Sequence, residues 1–306
     1  MRFTEIETFR ALMRGGTTRK AASLIQVTQP AISQSLKRLE LHAGMTLFQR
    51  TGGRLVPKPE AFALLSEVER AFMGMDAIDH RLRSLRDFGV NRLDISCYPA
   101  FGLGFMPRAL QRLKEHNANK PWPQVSLQVL SSKDVRDRVA AGLSDFGLMA
   151  DELSLDGIEH STFARFPGVV VMPPGHALAR FKIIKPEHLA ETAFLALNPE
   201  DASRKRLEAT LAAHGVTLKV AVNTPYAASV CEMALRGLGV GLVNPVTALD
   251  YAERGLVVRK LSVDVSFACE LVMPVGKALS GTAMEFLSLM RRQLAHDQQR
   301  VRTALQ

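Results

Sequence analysis

The sequence predicts a multidomain α/β protein that opens with a winged helix-turn-helix, continues through one long helix and ends in an α/β region. Three observations carry this. Residues 17–40, TTRKAASLIQVTQPAISQSLKRLE, read as two short helices joined by a tight bend. Residues 58–88 repeat apolar side chains at steps of three and four. From residue 90 onward strand-like and helix-like stretches alternate.

The elements follow in order. Residues 3–14, FTEIETFRALMR, suggest a first helix packing Phe3, Ile6, Phe9, Leu12 and Met13, ended by Gly15 and Gly16. In the next helix Ala21, Ala22, Leu24 and Ile25 offer a small apolar face that lets a second helix cross closely. The bend runs through Gln26, Val27 and Thr28. Thr28 suits an N-cap, and Pro30 suits the first turn, where its missing donor costs nothing. Ala31, Ile32, Leu36 and Leu39 then share one face. The other face carries Gln29, Ser33, Gln34, Lys37 and Arg38, the layout of a helix that enters the DNA major groove. Residues 45–57 read as a hairpin turning at Thr51-Gly52-Gly53, a wing with Arg50 and Arg54 near its tip.

Charge supports the same reading. Residues 1–58 hold ten Lys/Arg against three acids, so +7 of the chain's formal +9 sits in its first fifth. A basic segment beside a groove-reading helix is the electrostatic footprint of a DNA-binding domain. The expected DNA contacts are Arg19, Thr28, Gln29, Pro30, Ser33, Gln34, Lys37 and Arg38, with Arg50 and Arg54 on the backbone. Gln29 and Gln34 can pair with adenine edges, while Lys37 and Arg38 suit phosphate or guanine.

In residues 58–88 the stripe comprises Ala61, Leu64, Leu65, Val68, Ala71, Phe72, Met75, Ile78, Leu82 and Leu85. Such a helix is about 45 Å long, and its stripe needs a partner. A dimerising coiled coil is one reading, and a helix lying on its own domain is the other. Farther on, strands are expected at 92–98, 124–130, 145–150, 168–172, 194–197, 218–223, 239–243 and 267–273. Helices are expected at 102–116, 133–142, 201–214, 225–236, 246–253 and 279–300. This alternation predicts α/β units with largely parallel sheets.

At 306 residues and 47% hydrophobic composition the chain can bury two or three cores. No uncharged apolar run is long enough to span a bilayer, so no membrane partner is expected. Glu5 and Glu7 in the first residues argue against a secretory signal. Three widely spaced cysteines, Cys97, Cys231 and Cys269, suit buried thiols in a reducing cytoplasm. The eight histidines show no metal-ligand spacing, so no metal or cofactor is expected. The glycines of GLGVGLVN (237–244) do not make G-x-G-x-x-G, and they follow a helix where that motif follows a strand. An enzyme is therefore not expected. An exported solute-binding module conflicts with the basic head, and a non-specific architectural DNA protein has no need of the large α/β region.

The residues resemble the LysR-type transcriptional regulators over essentially the whole chain. The matching pieces are residues 17–40, the AGMTLFQR segment, SDFGLMA, GHALA with KPEHLAE, and RGLGVGLVNP. Two departures stand out: Arg19-Lys20 before the alanine pair, and VPKPEAFAL after the wing. The resemblance implies a DNA-binding domain at 1–58, a linker and dimerisation helix at 59–89, and an effector-binding domain at 90–306. That last domain would be of periplasmic-binding-protein type, with one half formed by 90–163 plus 268–306 and the other by 164–267. Two crossover strands would form a hinge, with a small molecule in the cleft between the halves.

Within such a cleft, strand ends and helix N-termini are the expected contacts. These are Tyr98, Pro99, Ala100, Phe101 and Gly102 in one loop, then Ser131 and Ser132, and Ala150. The second half would add Asn198, Pro225, Tyr226, Val243 and Asn244. Each reads equally as a loop-capping residue. The partners implied are double-stranded promoter or operator DNA, a small organic anion or amino-acid-like effector, RNA polymerase, and a second copy of the chain in a homodimer or homotetramer.

Overall fold

The computed structural model describes residues 1–51, 54–86 and 91–305, without the side chains of Arg50, Arg54, His80, Arg81 and residues 83–86. It forms two compact units, residues 1–86 and 87–306.

In the first unit, α1 (Phe3–Gly15) ends at Gly16, whose φ of 68° is the left-handed cap that glycine adopts without strain. Helix α2 (Thr18–Leu24) starts at Thr17, whose hydroxyl accepts from the Lys20 N–H. Helix α3 (Gln29–Ala43) starts at Thr28, whose hydroxyl accepts from the Ala31 N–H at 3.4 Å. The core joins Phe9 and Leu12 of α1, Ala21 and Ala22 of α2, and Ile32, Leu36 and Leu39 of α3. Three expected core positions are corrected. Phe3, at the start of α1, is 45% exposed. Leu24 is 59% exposed because α2 meets its neighbours through the smaller alanines. Ala31 is exposed, one residue off the buried stripe. The wing is the antiparallel pair β1 (Phe48–Thr51) and β2 (Arg54–Pro57); Gly52 and Gly53 lie outside the described residues. The Glu40 carboxylate on α3 accepts from the Leu47 and Phe48 N–H groups at 2.7 and 3.1 Å and ties the wing to the helix.

Helix α4 (Pro59–Arg86) divides the stripe read from the sequence. Ala61, Val68 and Phe72 are buried in the first unit's core. Met75, Ile78 and Leu82 are 48–60% exposed. Glu69 anchors the docked part, accepting from Arg10 at 2.8–3.1 Å and from Arg14 at 3.1 Å. The Arg10 guanidinium also lies 4.1 Å from the Phe72 ring centroid.

The second unit holds two sheets. Strands β3 (Arg92–Cys97), β4 (Gln124–Val129), β5 (Phe146–Ala150) and β6 (Glu159–Pro167) precede the crossing into the second half. Helices α5 (Pro99–Gly102), α6 (Phe105–His116) and α7 (Ser132–Ala140) lie among them. The second half contains β7 (Val169–Met172), β8 (Ile183–Ile184), β9 (Ala193–Leu197), α8 (Ala202–Ala212), β10 (Lys219–Thr224) and α9 (Ala227–Leu235). It continues with β11 (Val240–Val243), α10 (Pro245–Ala252) and β12 (Val257–Leu261). The chain returns through β13 (Ser266–Met273) and ends in α11 (Gly281–Ala304). The sheet orders are β4-β3-β5-β13-β6 and β10-β9-β11-β7-β12-β8.

Both sheets are mixed, which corrects the largely parallel expectation. Strands β5, β13 and β6 pair antiparallel, as do β11, β7 and β12. The returning strands cause this, because each half receives a strand that re-enters from the other. At one crossing the Gly168 N–H donates to the Val265 carbonyl, and a Cβ at Gly168 would meet the Phe267 ring at 2.7 Å. The expected helix at 102–116 is two pieces, with α6 starting at Phe105. Strands β6, β8 and β12 add to those expected from the sequence. The three cysteines are buried free thiols.

Helix α10 joins the halves. Its Val246 is buried in the first half's core, while Ala248 is buried in a core of the second half. The Thr247 hydroxyl donates to the Ala100 carbonyl at 3.1 Å. Arg108 of α6 pairs with Asp250 of α10 at 2.5 Å and with the buried Asp297 of α11 at 2.9 Å.

The Arg10 hydrogen bonds lower the Glu69 pKa below its ordinary 4.5, against the opposing cost of burial. Its contribution is therefore complete above that value and disappears as pH falls through the lowered one. Glu69→Gln is expected to destabilise the first unit by about 1 kcal/mol or less, since the pair is partly exposed. Amide exchange in α1 near pH 7 should show the difference, which should shrink as pH falls below 4.5 and through the lowered value.

Candidate functional sites: a polar helix face and a cleft

Packing decides what α3 presents. With Ile32, Leu36 and Leu39 turned inward, Gln29, Pro30, Ser33, Gln34, Lys37 and Arg38 are exposed, as are Thr28 at the cap and Arg19 on α2. Among the described residues, the side chains of Gln29, Ser33, Gln34, Lys37 and Arg38 show no protein hydrogen bond or ion pair. Other cations are already engaged: Arg10 and Arg14 on Glu69, and Lys58 on the Thr46 hydroxyl. The α3 face is thus a strip of uncommitted donors and acceptors, the chemistry that base edges and phosphates accept. Arg50 and Arg54 stand on the paired wing strands, but their side chains lie outside what the structure describes.

The second unit contains a cleft of about 450 Å³ between its halves. Strand ends converge on it: Tyr98 after β3, Ala150 ending β5, Asn198 after β9 and Asn244 after β11. Helix N-termini supply Pro99 and Ala100, Ser131 and Ser132, and Pro225 and Tyr226. Ten of the expected contacts therefore share this wall. Phe101, Gly102 and Val243 do not, which corrects the sequence reading. Phe101 turns inward, its ring 5.1 Å from that of Phe105. Gly102 backs onto Val129, whose methyls would lie 2.9 Å from a Cβ there. Val243 is fully buried in a second-half core.

Several contacts have structural duties as well. Ser131 caps α7, its hydroxyl accepting from the Asp134 N–H at 3.2 Å. The Ser132 hydroxyl accepts from the Ala150 N–H, fixing the end of β5. Asn244 caps α10 by accepting from the Thr247 N–H at 2.9 Å. The N-cap of α9, Tyr226, has no side-chain cap bond, and Tyr226 and Ala227 line the cleft. The Tyr98 ring stacks on Phe101 at 5.7 Å, and burial beside Cys269 and Cys97 pushes its phenol well above the ordinary range.

The sequence reading missed all of the cleft's charge. Asp151, Glu152, Glu200, Asp201, Lys133, Lys205 and Arg206 also line it. Asp151 and Glu152 directly follow β5, so extending the strand-end rule by two residues would have found them. Arg206 lies inside α8, and nothing local to the sequence marks it. Its guanidinium pairs with Asp151 at 3.0 and 3.1 Å, and its Nε donates to the Ser266 carbonyl at 2.9 Å. Desolvation raises the Glu152 carboxyl, opposed by the Ser132 hydroxyl.

Comparison with known proteins matches both units. Residues 3–61 match the bacterial regulatory helix-turn-helix protein, lysR family, and residues 89–295 match the LysR substrate binding domain. The transcriptional activator protein LysR of Escherichia coli is 35% identical over 283 residues, covering 92% of this chain and 89% of that protein. The regulatory protein NocR of Agrobacterium fabrum is 31% identical over 282 residues, covering 92% and 93%. The crystal structure of CbnR, a LysR family transcriptional regulator, shares the fold with a TM-score of 0.65 at 16% identity, covering 96% and 99%. Full-length CbnR in complex with its target DNA gives the same TM-score at 17% identity, covering 96% and 100%.

Gln29→Ala is expected to weaken binding to a specific site by about 1–3 kcal/mol and to spare binding to unrelated DNA. Lys37→Ala should weaken both and lower the salt slope by about one. Titrations of specific and scrambled duplexes by fluorescence anisotropy separate the two effects.

Proposed function

The chain belongs to the LysR family of bacterial transcriptional regulators, and on that premise we propose how its own residues carry the function. The protein is a DNA-binding transcriptional regulator, not an enzyme, with a C-terminal domain that takes a small-molecule effector. The observation that carries the proposal is the uncommitted polar face of α3 in one unit beside a walled, charged cleft in the other.

In the proposed mechanism Gln29, Ser33 and Gln34 meet base edges. Lys37, Arg38, Arg19 and the wing arginines hold the backbone. A second copy of the chain docks along α4, whose Met75, Ile78 and Leu82 are exposed at helical spacing. A two-fold dimer, alone or within a tetramer, presents two recognition helices to two half-sites. Effector binding changes the arrangement of the halves, then of the copies, and so the access of RNA polymerase to the promoter. This happens in the cytoplasm, where the buried thiols stay reduced. Among the described residues no helix is long and apolar enough to cross a membrane.

The cleft's charge favours an amino-acid-like effector over a simple organic anion. Asp151 is paired with Arg206, and Lys133 with Asp137. Glu152, Glu200 and Asp201 then outnumber Lys205 on the wall, which suits an ammonium group.

A thermal-shift screen of α-amino acids against the same acids without the amino group tests this. An amino compound should raise the melting temperature by about 5 °C or more when well above its Kd. Replacing Ser131 and Ser132 together by Ala should abolish that shift and preserve DNA binding. A shift given equally by the deaminated acids would point to the anion instead.

A further inference from the structure

Among the contacts that cross between the halves of the second unit, two kinds differ in where they lie. The first kind surrounds α10: Val246 in the first half's core, Thr247 on the Ala100 carbonyl, and Asp250 on Arg108. Val246, Thr247, Asp250 and Arg108 are not on the cleft wall. The second kind is the Asp151–Arg206 pair. Asp151 extends β5 of the first half, Arg206 belongs to α8 of the second, and both line the cleft. Their side chains keep 21% and 34% of their exposure, so the pair is open to whatever enters.

We propose that Asp151 and Arg206 form an exchangeable latch across the cleft, opened by an effector that carries both a carboxylate and an ammonium group. This rests on the reading of the cleft as the effector site. The α10 contacts act as the pivot and persist through the change.

The geometry gives each partner a role. Arg206 holds two bonds to Asp151 and a third, through Nε, to the carbonyl of Ser266, which opens β13 just after the crossover. An effector carboxylate can therefore replace the Asp151 carboxylate on the fork of Arg206 while the Ser266 bond keeps the guanidinium in place. The released Asp151, with Glu152 next to it, then faces the effector's ammonium group. A lone anion satisfies Arg206 but leaves Asp151 without its cation. A lone cation satisfies Asp151 but leaves Arg206 without its anion. Only a ligand with both charges exchanges the pair without an unpaired ion on the wall, so the latch also selects. Because Arg206 is tied to the strand just after the crossover, the exchange is felt where the two halves join. The latch biases the domain by the difference in contacts between its two arrangements.

The test uses the full chain with spin labels at Lys114→Cys in the first half and Lys182→Cys in the second, both exposed positions; the three native cysteines are buried. Interspin distances are measured without any ligand. Wild type should give one distribution. Asp151→Asn, and independently Arg206→Gln, should raise a second distance population about tenfold. The charge-reversed double variant Asp151→Arg with Arg206→Asp should return it to the wild-type level. Potassium chloride at about 0.5 M should raise the same population in wild type and not in Asp151→Asn, because screening weakens a partly exposed pair.

Distributions identical to wild type in both single variants, with circular dichroism showing a native fold, would overturn the latch. So would a second population that persists in the charge-reversed pair, since lost volume rather than lost charge would then be its cause. Failure of the cleft reading looks different: the single variants shift the distance, yet no compound shifts the melting temperature.

Discussion

The packing of α3 through Ile32, Leu36 and Leu39 is the constraint on which the DNA-binding unit depends. Those three residues seat against Phe9, Leu12 and the alanines of α2, and this fixes the rotation of the helix about its own axis. Gln29, Ser33, Gln34, Lys37 and Arg38 are left outward as a consequence. The close crossing needs small residues on α2 and the glycine end of α1, where a Cβ at Gly15 would lie 3.1 Å from the Ala21 nitrogen. Glu40 then carries the same rotation into the wing through two backbone N–H groups. Glu69 carries it into α4 through Arg10 and Arg14. Cations that build the unit are thereby separated from cations free to meet DNA.

The second unit solves a different problem. Two halves joined only by crossover strands would move freely, and a ligand between them would have little to report. Here α10 contributes to the cores of both halves, Val246 to one and Ala248 to the other. The wall is built mainly from strand ends and helix starts. Many of its polar groups are spent on capping: Ser131 on α7, Asn244 on α10 and Asp201 on α8. Charged groups beyond those caps, Asp151, Glu152, Glu200 and Lys205 among them, line the wall as well.

How much of this was legible in the sequence follows from how local each cause is. Thr28, Pro30 and the spacing of Ile32, Leu36 and Leu39 are local signals, and α3 appears where they place it. Ala31 was misassigned because an alanine next to the stripe looks apolar in sequence yet faces water. Strand β6 left no signal at Glu159–Thr162, where every residue is exposed, and only Ala164 and Phe166 turn inward. The cleft's strand-end residues were readable as a class. Val243 departed from that class because neighbouring side chains on a strand face opposite sides, and Phe101 because it sits on the inward side of helix α5, against Phe105. The Asp151–Arg206 pair joins residues 55 apart in sequence, and only the folded sheets bring them together.

The most direct test is binding to the DNA immediately upstream of the protein's own gene, followed by fluorescence anisotropy against a scrambled duplex at two salt concentrations. The upstream duplex should bind about 10³-fold or more tightly than the scrambled one, with both affinities falling as salt rises. Equal, weak binding to both duplexes at that locus would contradict this expected operator, and no binding to either at low salt would contradict the DNA-reading role of α3 itself.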